Sequence, residues 1–223
     1  CEAAGFTLWE SDSPRGRMFA LKEMFEGRLD SGPELLEALS ASAYKCTLCG
    51  RCGEVCQTNI DLRSLWLDLR ANLLEKGHFP KKLALMRDGI KETGNVANYP
   101  NSERASWADF VPDAPEDLFQ KEKADVVYFV GCMSSFSPAI SSIPESFAQL
   151  LSKAGVDFAI LGEKEMCCAY PLIVGGYGGD RELVDELKRK NAEAVRATGA
   201  TVMVFTCPSC YLTWEEEYVK QFD

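Results

Sequence analysis

The chain has 223 residues, 46% of them hydrophobic and 26% charged, with a formal net charge of −10. That length supports one good hydrophobic core or two modest ones, at an apolar content ordinary for a globular protein. So acidic a chain lacks the basic face that a nucleic-acid partner requires and gains nothing from anionic lipid, and no apolar run approaches the ~20 residues of a membrane span. In chain order, Ser13 before Pro14 predicts a helix start, with Met18, Phe19, Leu21, Met24 and Phe25 forming an apolar face over residues 15–29 and Gly32-Pro33 ending it. A second helix over 34–44 leads to Cys46. Asp61 caps a third, whose apolar positions Leu62, Leu65, Trp66, Leu69 and Leu73 repeat with the helical period until Gly77. A fourth covers 80–91. Residues 93–123, punctuated by Gly94, Asn95, Asn98, Pro100, Asn101, Pro112 and Pro115, read as a long linker wrapping the surface. From Asp125 the pattern alternates: strand 126–130, helix 144–154 with Phe147, Leu150 and Leu151 inward, strand 158–161, helix 180–198, strand 202–205. A last helix opens at Pro208 and carries Tyr211, Trp214 and Tyr218. Alternation of this kind predicts a small parallel sheet. The fold class is therefore α + α/β: an all-helical module over 1–92, a linker over 93–123 and a small parallel-sheet α/β module over 124–223.

The ten cysteines carry the chemistry. They sit in tight clusters within a long chain of ordinary core composition, which suits metal ligation better than a disulfide framework. A reducing, cytoplasmic-side compartment is the corresponding expectation. Cys46, Cys49, Cys52 and Cys56 have the spacing C-x2-C-x2-C-x3-C, a strong iron–sulfur signal. Zinc sites more often pair two separated C-x2-C units. The first three thiolates wrap one cubane [4Fe–4S] cluster, while the fourth cysteine of such runs serves a second cluster in two-cluster proteins. Two wirings are open. Either Cys1 completes the cubane and Cys56 ligates a second cubane whose other ligands are absent here, or Cys56 completes it and Cys1 is incidental. The first is preferred, because a chain that starts at Cys rather than Met reads as an internal start.

Cys132, the vicinal pair Cys167-Cys168, and Cys207-x-x-Cys210 come from three distant segments yet read as one site. Five thiols exceed what a simple cube or zinc ion takes. Vicinal thiols bind two different irons more easily than one, which favours an enlarged or open cluster. Cys132 and Cys207 follow strand ends, where ligands gather in open α/β sheets, and Pro208 opens a helix whose positive end stabilises thiolates.

These residues resemble the cysteine-rich CCG domain of heterodisulfide reductases and the iron–sulfur subunits of glycolate oxidase type. The phrases that carry the likeness are VVYFVGC at 126–132, LGEKEMCC at 161–168 and TCPSCY at 206–211, with SPRGRM at 13–18 resembling the fused helical ferredoxin module. The resemblance implies a two-cubane helical module joined to a cysteine-rich one, with Cys132, Cys167, Cys168, Cys207 and Cys210 holding a noncubane [4Fe–4S] cluster. Ala169 stands where the family usually has glycine, and one cysteine-rich repeat is present where the family usually has two.

Two functions follow from the resemblance. One is electron transfer within a hetero-oligomer whose partners are redox subunits: a flavin dehydrogenase, or a membrane cytochrome or quinone-linked subunit. The other is catalytic disulfide reduction, with the five cysteines carrying the chemistry as ligands. The remaining motifs read as structural. His78 is a turn residue, Trp66 and Trp214 are core, and Glu215, Glu216 and Glu217 form a solvated face. Gly175, Gly176, Gly178 and Gly179 lack the P-loop lysine and read as a hinge or a close approach to the cysteine site.

Overall fold

The computed structural model describes residues 1–111 and 121–219. Pro112 and Pro115 lie outside the described residues. The chain divides into two compact units, one of Cys1–Ala84 with Leu172–Gly179, the other of Leu85–Pro171 with Asp180–Asp223.

The first unit is helical: α1 (Glu2–Thr7), α2 (Pro14–Phe25), α3 (Pro33–Lys45), α4 (Arg51–Glu54) and α5 (Leu62–Glu75), with α6 (Lys82–Thr93) beginning within it. The cap reading holds. The Ser13 side chain accepts the Gly16 N–H at the start of α2, and Asp61 accepts the Ser64 N–H at the start of α5. After Gly77 the His78 N–H returns to Leu73 O at 2.8 Å, closing α5. Leu39, Ala43 and Leu73 form one small core, and Leu48, Leu62 and Trp66 another. The apolar face of α2 is narrower than its sequence suggests: Leu21 and Met24 pack inward, whereas Phe19 and Phe25 are exposed. Leu65 of the α5 stripe is also exposed.

The glycine loop returns to this unit as a folded element, following α9 (Tyr170–Gly175) as a 3-10 turn over Tyr177–Gly179. Gly176 has φ +99°, and a Cβ there would lie 2.9 Å from Arg70 O. The loop is thus a close backbone approach, which only glycine permits.

The second unit holds a three-stranded parallel sheet, β1 (Val126–Phe129), β2 (Phe158–Ile160) and β3 (Val202–Phe205), in the order β2-β1-β3. Between β1 and β2 lie α7 (Cys132–Phe136) and α8 (Ser142–Lys153); between β2 and β3 lies α10 (Arg181–Thr198); α11 (Pro208–Thr213) follows β3 and continues as a π turn over Trp214–Tyr218. Residues of β1 and Val130 just after it alternate between two cores. Tyr128 and Val130 face Ala148 and Leu151 of α8, while Val127 and Phe129 pack with Cys168, Cys210 and the partly buried Ala194 and Val195 of α10. Both faces are therefore covered, as parallel sheets require. Leu150, expected inward, is exposed; Phe147 and Leu151 take that role.

Within the described part of the segment read as a surface linker, some residues pack inward and others stay outside: Trp107, Ala108 and Val111 join the core around Tyr128 and Asn95 and Arg104 are buried, whereas Tyr99 and Phe110 are exposed. The segment is irregular because its polar side chains satisfy local backbone, as Asn95 does by donating to Thr93 O and Tyr99 O. Among the described residues, no helix is long and apolar enough to cross a membrane.

Candidate iron–sulfur centres

In the first unit, α3 ends at Lys45 and the cysteine loop begins. The buried Arg70 guanidinium fixes this exit, donating to Ala43 O at 2.9 Å and to Cys46 O at 2.5 Å. These carbonyls lie at the end of the helix, where Ala43 O also accepts the Cys46 cap N–H at 3.3 Å. Gly50, at φ +76°, turns the loop into α4, which carries Cys52. A cavity of about 160 Å³ lies here, and its lining includes Cys1, Cys46, Cys49, Cys52, Arg17 and Trp66. Cys56 is not in that lining; its Sγ lies 3.2 Å from Thr58 Oγ1. Two buried donors on the lining residues lack partners: Arg17 Nη1 and Trp66 Nε1. Arg17 is otherwise held by Ser42, through Nε to Oγ at 2.9 Å and Nη2 to the carbonyl at 2.8 Å. The backbone N–H of Arg51 and the Thr47 hydroxyl hold the Cys49 thiol below its ordinary pKa. Four thiols and two unsatisfied donors around one cavity fit an anionic sulfide-bridged cluster.

In the second unit all three strands run in one direction, so their C-terminal ends share one edge of the sheet. A cysteine segment follows each strand: Cys132 after β1, Cys167 and Cys168 after β2, Cys207 after β3. The five thiols interact in a chain, Cys132 with Cys167, Cys167 with Cys168, Cys168 with Cys210, and Cys210 with Cys207. Gly131 makes room for them, since at φ +82° its Cβ would meet Cys210 Sγ at 3.1 Å and Cys207 Cβ at 3.5 Å. Cys207 is partly exposed while the other four are buried.

The hydrogen bond from Cys167, then the Arg104 charge, lowers Cys132 to about 6. Cys207 falls to about 6 through Cys210 and the backbone N–H groups of Cys210 and Ser209, which open α11. Cys168 is lowered by the Cys167 hydrogen bond, whereas Cys167 and Cys210 are raised by the hydrogen bonds they give to neighbouring thiolates. Protons thus alternate along the chain of sulfurs, and a group that ionises all five must bring positive charge. Bound iron would supply that charge, with the five thiols deprotonated as its ligands. Among the described residues, no three His, Cys, Asp or Glu side chains are already posed around one metal ion. A cluster differs from a single ion in spreading its thiolates over several irons.

Sequence reasoning missed the groups around these thiols. Buried Glu165 accepts from Val130 N at 2.9 Å, Gly131 N at 2.8 Å and Arg104 Nη1 at 2.7 Å. Burial pushes its carboxyl up to about 7. Fully buried Asn191 of α10 splints the vicinal pair, accepting the Met166 N–H at 2.8 Å and donating to Cys167 O at 3.2 Å and Tyr218 Oη at 3.0 Å. One signal was available for Asn191: it falls on the apolar stripe of Leu183 and Leu187, at helical spacing.

Residues 126–215 match the cysteine-rich CCG domain. Over 87% of its length the chain is 31% identical to a dihydromethanophenazine:CoB–CoM heterodisulfide reductase subunit of Methanosarcina acetivorans, covering 46% of that protein. It is 29% identical to the probable iron-sulfur-binding oxidoreductase FadF of Bacillus subtilis, over 85% of this chain and 28% of the relative. It is 27% identical to EtfAB:quinone oxidoreductase of Syntrophomonas wolfei, over 80% of this chain and 25% of the relative. The chain thus spans less than half the length of these relatives. No solved structure matches it. The chain is thus similar to iron–sulfur redox proteins of the heterodisulfide reductase type, and its architecture is α + α/β.

Proposed function

We propose that the chain is an iron–sulfur electron-transfer subunit of a heterodisulfide-reductase-like redox complex. Cys46, Cys49, Cys52 and Cys1 hold a cubane [4Fe–4S] cluster, and Cys132, Cys167, Cys168, Cys207 and Cys210 hold a noncubane one. The observation that carries this reading is the gathering of five thiols from three strand ends around Gly131. When bound, such clusters supply one-electron carriers; the protein supplies thiolates and buried arginines. The crossed wiring is supported by the cavity that Cys1 shares with Cys46, Cys49 and Cys52 and that Cys56 does not line. Partners are other redox subunits of a hetero-oligomer, a flavin dehydrogenase or a membrane cytochrome or quinone-linked subunit, and the location is the cytoplasmic side.

Iron analysis and EPR of the anaerobically reconstituted chain test this. About eight irons per chain are expected, four for each [4Fe–4S] cluster. Cys167→Ser is expected to lose one signal and keep the other; Cys1→Ser removes the cubane signal while Cys56→Ser retains it. A colourless protein holding zinc instead of iron overturns the reading, and loss of the cubane in Cys56→Ser alone reverses the wiring.

One observation favours catalysis as a second reading. Cys207 opens onto a groove of about 440 Å³, lined also by Phe205, Thr206, Pro208 and Tyr211. A small disulfide can reach the five-cysteine site there, where its cleavage to two thiols takes two electrons from the partner subunit and two protons from solvent. Disulfide reduction with an electron donor present, abolished in Cys167→Ser, would establish it; electron transfer without any reaction with disulfides would exclude it.

A further inference from the structure

We propose that Arg104 is a positioning residue of the five-cysteine site: its guanidinium fixes Cys132 as a ligand and raises the reduction potential of the cluster bound there. The inference rests on reading these cysteines as cluster ligands. Arg104 precedes the residues that match the CCG domain, 126–215, so the domain match assigns it nothing.

Arg104 is 2% exposed. Its three nitrogens each have a partner: Nε donates to Asn101 Oδ1 at 3.1 Å, Nη1 to Glu165 Oε1 at 2.7 Å, and Nη2 to Cys132 Sγ at 3.3 Å. The Phe136 ring lies under the guanidinium, 5.3 Å from its centre. Both partners are themselves fixed. Asn101 donates to Glu163 O at 2.6 Å and Glu165 O at 2.9 Å, and Glu165 is clamped by the Val130 and Gly131 N–H groups. The same segment touches the second cysteine loop, where Cys167 N donates to Gly94 O at 2.7 Å. Residues 94–104 thus form an outer layer over two of the three ligand segments.

A buried cation is costly to maintain unless something anionic answers it. Glu165 answers part of the charge, and the guanidinium is left in contact with a sulfur. When one electron enters the cluster from a redox partner, the net charge there becomes more negative by one. The fixed cation then interacts more strongly with the reduced form than with the oxidised one, and low local dielectric enlarges the difference. Partners behind the first ligands tune metal sites in this way. A packing staple alone would stabilise both redox forms equally.

The test uses the full chain, reconstituted anaerobically and titrated with dithionite while EPR follows the signal that Cys167→Ser removes. In Arg104→Gln the iron is retained and the equilibrium constant for reduction falls at least tenfold, which is 59 mV for a one-electron couple. Arg104→Lys, which keeps charge but not the fork, falls less. Because Arg104→Gln leaves Glu165 buried without its cation and can fail to fold, a second measurement uses the unmutated protein. With ¹⁵N-arginine incorporated, pulsed EPR shows a nitrogen coupling in that signal, and Arg104→Lys abolishes it. A folded, iron-loaded Arg104→Gln with unshifted potential overturns the role of Arg104, as does an absent nitrogen coupling. Iron content unchanged in Cys167→Ser overturns the cluster reading itself, and this inference with it.

Discussion

Ala169 follows the vicinal cysteines in a left-handed conformation, φ +75°, and is fully buried. An L-residue pays about 1–2 kcal/mol for that conformation, and glycine does not. The backbone here turns sharply because Cys167 and Cys168 must both present sulfur to one site while Asn191 holds the Cys167 carbonyl. Alanine at this position is therefore a strained solution to the turn. Ala169→Gly is expected to stabilise the chain by about 1 kcal/mol, read as a higher denaturant midpoint at constant slope. A lower midpoint would mean that the lost methyl packing outweighs the relieved strain.

At the scale of elements, local chemistry was legible and distant satisfaction was not. The serine and aspartate caps act within three residues, so Ser13 and Asp61 announced α2 and α5 from sequence alone. The strands were legible as short apolar runs, and the cysteine spacing exposed both candidate centres. The Arg104–Glu165 pair joins residues 61 apart in sequence, and nothing in either neighbourhood foretells it. Phe19, Phe25 and Leu150 fit helical apolar faces yet stay exposed, because periodicity fixes a stripe's direction and not how much of it finds a neighbour. Asn191 shows how one element positions another: from α10 it satisfies the loop carrying Cys167 and the hydroxyl of Tyr218. Asn191→Leu takes its side-chain partner away from the Met166 N–H and the Cys167 carbonyl, and a loss of about 2–3 kcal/mol is expected. Chemical denaturation measures it; a change below about 0.5 kcal/mol, the size of an inconsequential surface substitution, would show that the loop holds itself.

Across the whole molecule, each candidate centre lies within one compact unit, with Cys1, Cys46, Cys49 and Cys52 in the first and the five-thiol set in the second. Three thiols of the first centre lie in one short loop. Those of the second must wait for three strand ends, because Cys132, Cys168 and Cys210 meet only once β1 is flanked by both β2 and β3. Loop closure over such separations is slow, and contacts of high sequence separation form late. Refolding with iron and sulfide present should therefore give two phases in EPR, the cubane signal first and the five-cysteine signal only as the sheet completes. Simultaneous appearance would show the two centres to assemble as one cooperative unit. The parallel sheet order that collects five sulfurs on one edge thus also acts as a timer: no polypeptide emerging from a ribosome can offer that site until β3 has left the tunnel.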